Sequence, residues 1–543
     1  MPVRPIVTRR MIVCALLLFG CGGGTEPSQT VGKPAYIMVS SDVGGTLPGT
    51  TAQFTATAID SAGHPIADTQ FEWATEDAFL ATVDANGLVT ALHPGPVLIF
   101  ARAGGVEGGL TLNVLEPVTS ILLGGVPAPL VPGAMLRLPY TLRSAAGDSL
   151  DIGFRLLGWS SSQPSVAQVG NDGIVTTVAP GTTTLSLTAT GEGVSASVDL
   201  TVTTLHYLIA QDGGPISCGL TLEKRTYCWG TAYTGLQEGG VELLNVTPWP
   251  VATEVLFDSL RVGGGVACAL TAAGEPWCWG TSNETGNLGD GTTTAHLTPA
   301  PVAGGLILKS IVPGAGYTCG LLLDGVARCW GANDWGVFGT GDRESSLVPR
   351  EAAAGIQFRT ISLSPTVQSG GPHTCGMSLG GDAYCWGTNE VGQLATYPRT
   401  QISESPTLVL SPTPLVDVQS GGQHGCGLAA DGTVLCWGDN QGRALGDRPV
   451  QSPNFDSIPA PVHLAPAFTQ IRAGLYRTCG LTAAGTVFCW GDNFGPVPVQ
   501  IQIPQALNRI DVSVGRFCGR SVQGVVWCWT TPALPATKIE GQS

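Results

Sequence analysis

The stretch CGLTAAGTVFCWGDN, Cys479 to Asn493, carries two cysteines ten positions apart with Trp-Gly directly behind the second. The same arrangement occurs seven times: Cys218/Cys228, Cys268/Cys278, Cys319/Cys329, Cys375/Cys385, Cys426/Cys436, Cys479/Cys489 and Cys518/Cys528. Midway between the cysteines lie turn formers such as Ala273-Gly274, Asp324-Gly325 and Asp431-Gly432, flanked by short apolar runs. A hairpin folded there sets the two cysteines opposite each other on neighbouring antiparallel strands. In a non-hydrogen-bonded pair the Cα atoms are about 4.5 Å apart, at the short end of what a disulfide accepts. Zinc favours closer cysteine spacing with further ligands nearby, and a redox dithiol usually takes the form C-x-x-C. Cross-strand disulfides are therefore expected, with buried free thiols the alternative in a reducing compartment. The distance between units varies while the distance within them does not, as for a fixed supersecondary unit joined by tolerant loops.

Bulk composition agrees with short strands and many turns. The 543 residues include 76 Gly and 39 Pro, only 12% are charged, and the formal net charge is −15. With no compensating Lys/Arg cluster, that charge argues against nucleic-acid binding. The 16 cysteines call for an oxidising compartment. The N-terminus supplies a route to one: Arg4, Arg9 and Arg10 precede the apolar run MIVCALLLF, then Gly20-Cys21, an export signal too short to anchor stably in a bilayer. LFGC, Leu18 to Cys21, resembles the lipobox of bacterial lipoproteins. That resemblance implies cleavage before Cys21, acylation of Cys21 and, with Gly22 following, outer-membrane sorting. The next stretch, GGGTEPSQTVGK, has the composition of a flexible tether.

Residues 35–203 hold one pattern twice. Trp73, Val83, Gly87 and Gly95 recur at a constant offset as Trp159, Val169, Gly173 and Gly181, with Asn86-Gly87 and Asp172-Gly173 as hairpin turns. Alternating segments such as AQFTATAID and SASVDLTV read as half-buried strands. Both copies resemble bacterial immunoglobulin-like domains of group 2, in which such modules serve mainly as spacers. The two tryptophans are expected as core plugs.

The later units, with segments such as TSNETGNLGDG (281–291), TNEVGQLA (388–395) and NQGRALGD (440–447) behind the CWG, resemble the repeat of the regulator of chromosome condensation family. Its members form seven-bladed β-propellers, and His373 and His424 stand where that repeat commonly has His. Eukaryotic members exchange nucleotide on a small GTPase and sit on chromatin; in an exported acidic chain that label rests on fold alone.

The expected organisation is all-β: a signal peptide (1–20), a tether (21–34), two immunoglobulin-like sandwiches (35–117 and 118–204) and a seven-bladed propeller (205–543). With Thr530 where the other units have Gly and little chain beyond it, the last blade is expected to borrow a strand from 205–212 for closure. No catalytic, metal or cofactor motif is evident, and the carboxylates Glu284, Asp290, Asp439 and Asp447 read as solvated loop residues. The expected function is non-enzymatic binding of an extracellular protein or glycan at the cell surface. The loop aromatics Trp335, Phe338, Tyr397 and Phe494 are candidate contacts, and membrane attachment runs through Cys21. The alternatives are a polysaccharide hydrolase or lyase on the propeller, which two pocket carboxylates with perturbed pKa would favour, and a purely structural envelope protein.

Overall fold

A computed structural model describes residues 33–539, except 127–128, 213–215, 232–234, 237–241, 244–246, 252, 366–370, 397–399, 448–454, 513–516 and 533. Cys21, the expected lipidation site, and Tyr397, an expected loop contact, lie outside the described residues. The chain divides into two compact units, residues 1–117 with 150–155, and residues 118–149 with 156–543.

The first unit contains a sandwich of two sheets. One runs Tyr36–Ser41, Thr51–Ile59, Leu88–Ala91, Ala81–Val83; the other runs Gly45–Thr46, Val106–Val114, Gly95–Ala103, Glu72–Thr75. Alternation along Thr51–Ile59 turns Ala52, Phe54 and Ala58 inward. Ala52 and Phe54 meet Val89, Val97, Ile99 and Leu112, with Trp73 packed on the edge of this core. Gly87, a glycine in both copies of the pattern, has a physical reason to be one. Its φ is +78°, and a Cβ there would stand 2.5 Å from the Phe54 carbonyl oxygen and 2.9 Å from the Trp73 ring.

The second unit begins with the matching sandwich. Ser120–Leu123 pairs with Tyr140–Arg143; Gly181–Thr190 lies between Leu156–Ser161 and Val194–Val202; and Ile174–Thr177 lies between Ala167–Val169 and Met135–Arg137. The parallel contact of Gly45–Thr46 with Val106–Val114 reappears as the Leu130–Val202 bridge. A further strand has no counterpart in the first copy. Glu242–Leu243, from a loop of the following domain, pairs with Leu136 and Arg137 and extends the sandwich sheet. Tyr227 donates its hydroxyl to the Pro129 carbonyl at 3.0 Å across the same junction.

From Tyr207 onward the described residues form seven four-stranded antiparallel sheets in strict chain order, the blades of a propeller. In each, the inner strand is followed by the two strands of the cysteine hairpin and then an outer strand. The two cysteines of every hairpin stand in direct register and are joined. The bonds are Cys218–Cys228, Cys268–Cys278, Cys319–Cys329, Cys375–Cys385, Cys426–Cys436, Cys479–Cys489 and Cys518–Cys528. Their Cα–Cα distances are 4.0 Å in the first blade and 4.1 Å in the other six. That is somewhat closer than the spacing expected for an unbridged pair, since the bond draws the two strands together.

Closure differs from the expectation. Residues Tyr207–Asp212 form the inner strand of the first blade, and the seventh blade has its own outer strand, Thr537–Lys538. No strand is borrowed, because the short tail after Trp529 suffices for two outer residues. The ends meet by packing instead. Leu205, Tyr207, Tyr227 and Trp229 of the first blade share a core with Cys518, Val526 and Cys528 of the last. Arg520 reaches from the seventh blade to the Leu208 carbonyl of the first at 2.7 Å.

Candidate functional site: the propeller channel and its loop-bearing end

Antiparallel order sets which loops share an end. An inner strand such as Phe257–Gly263 and the outer strand His296–Pro301 are joined through the hairpin. The long third-to-fourth-strand connections, such as 281–295, 332–345 and 389–401, therefore emerge at the same end as the Gly264-Gly265 type of turn. The short turns between the cysteines lie at the other end.

These long loops are braced from within. Asn283, Asn333, Asn389 and Asn440 are buried, and each accepts at Oδ1 the backbone N–H five residues on, at 3.0, 2.9, 3.1 and 3.2 Å. The loop so shaped offers a carbonyl to the tryptophan of the following blade. Indole N–H groups of Trp330, Trp386, Trp437 and Trp490 donate to Asn287, Val337, Gln393 and Ala444 at 3.1, 2.7, 2.9 and 2.9 Å. The tryptophans thus lie against the preceding blade, not the next. In the sixth blade the long loop is replaced by a tight connection, and Trp529 points its N–H at the Cys489 sulfur, 3.3 Å away.

Replacing Asn389 with Ala is expected to cost about 1–3 kcal/mol, because the Leu394 N–H is left without its acceptor inside the protein. The thermal midpoint of Asn389→Ala against Asn389→Asp, which keeps an acceptor, checks this. Equal midpoints would refute the bracing role.

Two of the expected contacts are buried instead of exposed, Phe338 in a braced loop and Phe494 in the tight connection of the sixth blade. Phe338 is fully buried with Trp386, Phe358 and Tyr317, and its N–H is the one held by Asn333. Phe494 is buried edge-on against Phe517, with ring centroids 6.5 Å apart. Both face inward because the loops lap over neighbouring blades. Trp335 alone of the described candidates is exposed, at 39%. His373 and His424 are also buried, and burial depresses their pKa to about 3 and about 4. His424 bonds Thr478 Oγ1 at 2.9 Å. Asp290 is held in its ionised form by Thr292 and His296, the latter at 3.1 Å, so it braces a loop. Asp439 caps a turn through Gln441 N–H, and burial raises its pKa.

The expected disulfide cysteines form no reactive site. Cys218, Cys268, Cys319, Cys375, Cys426, Cys479 and Cys518 lie on the second strand of their blades, one strand behind the inner wall. Their partners Cys228, Cys278, Cys329, Cys385, Cys436, Cys489 and Cys528 lie on the third strand, further from the axis. All fourteen are buried, and none lines the channel. With every sulfur bonded, no thiolate is left for nucleophilic attack or metal ligation.

The inner strands enclose a cavity of about 400 Å³ along the propeller axis, with every blade contributing to its wall. The residues directly opposite the first cysteine of each hairpin form a collar, one per blade: Gln211, Arg261, Val312, Ser362, Gln419, Arg472 and Asp511. Several tie neighbouring blades together. Gln211 accepts the Val262 N–H at 2.8 Å, and Ser362 accepts two bonds from Ser420, from its N–H at 2.9 Å and its hydroxyl at 3.0 Å.

Charge is concentrated on one side of the collar. Asp511 takes two bonds from Arg509, at 2.8 and 3.3 Å, and lies 3.7 Å from Arg472 Nε. Although burial opposes ionisation, Arg509, Arg472 and Arg261 hold its carboxyl below the usual range. Arg261 has no carboxylate of its own among the described residues. Its one hydrogen bond there runs from Nη1 to the carbonyl of Leu260, at 3.1 Å, and burial with the nearby Arg509 lowers its pKa to about 10. Asp417, also on the wall, is bonded by Gln419 Nε2 at 3.3 and 3.0 Å, and burial raises its pKa. None of these wall charges was among the expected site residues. The signal was present: in six of the seven units the collar residue stands seven positions before the first cysteine. Among the described residues no cluster fits a metal ion, and no helix is long and apolar enough to cross a membrane.

Residues 37–114 match the bacterial Ig-like domain (group 2) model, and residues 380–428, 415–442 and 468–495 match models of the regulator of chromosome condensation (RCC1) repeat. The chain carries RCC1 repeats behind a bacterial Ig-like domain. Among curated proteins it is 28% identical over 214 residues to the ultraviolet-B receptor UVR8 of Arabidopsis thaliana, covering 38% of this chain and 46% of the receptor. It is 29% identical over 281 residues to the probable E3 ubiquitin-protein ligase HERC6 of Homo sapiens, covering 49% and 25%. The chain thus spans less than half the length of either relative. Among solved structures, human WBSCR16 aligns with TM-score 0.49 and 18% identity over 56% of this chain and 84% of that one. Yeast RCC1 (Prp20), solved bound to Kap60, gives the same score and identity over 56% and 78%. The RCC1 repeats, with the likeness to the curated receptor, support a binding or regulatory propeller.

Proposed function

We propose that this protein is a non-enzymatic binding module of the bacterial cell surface, lipid-anchored through Cys21 and directed to the outer membrane, that engages a protein partner through the loop-bearing end of its RCC1-repeat propeller. The observation that carries this reading is the end itself. Its long loops are fixed from within by buried asparagines and tryptophans, so the exposed crest, with Trp335 on it, is presented without a large ordering cost on binding. Aromatic side chains held in this way are the usual anchors of interfaces. The net charge of −15 supports a partner other than nucleic acid. The Ig-like domains hold the propeller away from the membrane in this scheme.

The wall of the channel supports a second reading. Asp417 and Asp511 converge on it with pKa values displaced in opposite directions, the pattern of an acid and base pair in glycan cleavage. Against it stands the pairing of Asp511 with Arg509, which occupies both carboxylate oxygens.

The test is affinity capture from cell envelope and medium using the mature chain, with Trp335→Ala in parallel. A partner retained by the native protein and reduced at least tenfold by Trp335→Ala, with the thermal midpoint unchanged, is the expected result. Equal recovery by both would overturn the use of this end. Glycan turnover abolished by Asp417→Asn would replace the lead with the second reading.

A further inference from the structure

The arginines of the channel have no role in the loop-end reading, and their electrostatics are out of balance. Arg261, Arg472 and Arg509 gather around a single committed carboxylate, Asp511. Arg359 joins Arg261 and Arg472 on the wall, bonded to the Val416 carbonyl at 2.9 Å. The other carboxylate of the wall, Asp417, is tied to Gln419. Three guanidinium groups thus line the cavity with two carboxylates, and Arg509 already pairs with one of those, in a chain where acids outnumber bases by 40 to 25. Like charges brought together and partly removed from water are costly unless an opposite charge joins them. Arg261 is the group left over. Its guanidinium lies in the collar, makes no ion pair among the described residues, and spends one N–H on a backbone carbonyl, so the rest of its planar fork remains available.

The geometry points to the channel as a binding site for a small polyhydroxylated carboxylate, of the size of a hexuronic acid, whose carboxylate pairs with Arg261 and Arg472. A guanidinium fork favours a carboxylate over a point-like anion because two parallel N–H···O bonds form at once. The volume of about 400 Å³ lies in the range of pockets that enclose small molecules. The remaining wall is matched to hydroxyl groups. Ser310 and Thr360 line it with side-chain hydroxyls that make no hydrogen bond among the described residues. The disulfides directly behind the collar hold these side chains on rigid strands, so the site is formed before the ligand arrives. The negative exterior does not bar entry, since its field is screened within about 8 Å at physiological ionic strength. Binding in the channel is independent of the loop end and stands or falls separately from it.

Calorimetric titration of the mature protein with galacturonate, galactose and inorganic phosphate tests the assignment. Galacturonate is expected to bind one per chain, at least tenfold more tightly than galactose or phosphate. Arg261→Gln is expected to weaken galacturonate at least tenfold, and Arg261→Lys to weaken it less. The control Arg343→Gln, which breaks a solvent-exposed pair with Glu404, should leave it unchanged. The thermal midpoints of all three variants show whether the fold is kept. Galactose binding as tightly as galacturonate would overturn the role of the arginines. Phosphate binding equally well would overturn the carboxylate specificity. Unaltered binding by a folded Arg261→Gln would overturn the site.

Discussion

Replacement of Trp386 by alanine is expected to lower the stability of the propeller by about 3–5 kcal/mol, the range for removing a large aromatic side chain from a packed core. The indole is 1% exposed and tilts against Phe358 at 5.5 Å between centroids. It lies in one cluster with Val337 and Phe338 of the preceding blade's loop. Its N–H makes the shortest of the four bonds from a blade tryptophan to a carbonyl of the preceding loop, at 2.7 Å. Alanine therefore opens a cavity between two blades and removes one of the two donors to the Val337 carbonyl, leaving the Thr374 hydroxyl at 3.0 Å. Phenylalanine fills most of that space but supplies no donor, so Trp386→Phe should lose about 0.5–1.5 kcal/mol, the net worth of one hydrogen bond, since Thr374 still satisfies the carbonyl. Urea unfolding followed by near-ultraviolet circular dichroism measures both. A loss below about 1 kcal/mol for Trp386→Ala would mean that blade packing does not depend on this wedge.

Acidification from pH 7 to pH 4 should destabilise the propeller by an amount governed by two buried histidines. His373 and His424 have folded pKa values of about 3 and about 4, against 6.5 in an exposed chain. The unfolded state therefore binds protons that the folded state refuses. Their contribution is complete above pH 6.5 and is lost as the pH falls toward 4, by about 3 kcal/mol each, at about 1.4 kcal/mol per pKa unit. Asp511, held low by its arginines, loses its contribution only below about pH 3.8, and the raised Asp417 and Asp439 act in the opposite sense. His373→Phe and His424→Phe together should flatten the profile between pH 6.5 and 4. Tyr317 already places an aromatic ring at the same register position in the third blade. The slope of stability with pH is the readout, so any packing cost common to both pH values cancels. An unchanged slope in the double variant would show that the histidines are not the titrating groups.

Much of the architecture could be read from the chain because it is repeated and local. The cysteine hairpin needs only a turn dipeptide and two short apolar runs, and seven instances average out the exceptions. Register does the rest: once the turn is placed, Cys385 can only face Cys375, and Cys436 can only face Cys426. The paired Trp73 and Trp159, each with its turn glycine, are legible in the same way. Closure of the ring was not, because the packing of Leu205 and Tyr207 on Val526 joins residues at opposite ends of the propeller sequence. Nor was the inward turn of Phe338 and Phe494. A loop aromatic looks the same in sequence whether it faces solvent or covers a neighbouring blade, and only the buried asparagine five residues before Phe338 hints at the difference. The channel charges are hidden for a related reason. Arg261, Arg472 and Asp511 belong to three different units, and no spacing within one repeat brings them together.

The pairing of Glu242–Leu243 with Leu136–Arg137 has a mechanical consequence. Here the first blade sends a strand, from the loop before its outer strand, into the sheet of the second Ig-like domain, a contact reinforced by Tyr227 on Pro129, where a spacer on a plain linker would swivel. A bound partner that drags on the propeller loads this joint as a lever loads a hinge that has been pinned. The torque passes into the sandwich, whose long strands Gly181–Thr190 and Val194–Val202 lie in register along most of their length. Any load on the propeller thereby reaches the second sandwich through hydrogen-bonded strands and not through a linker alone.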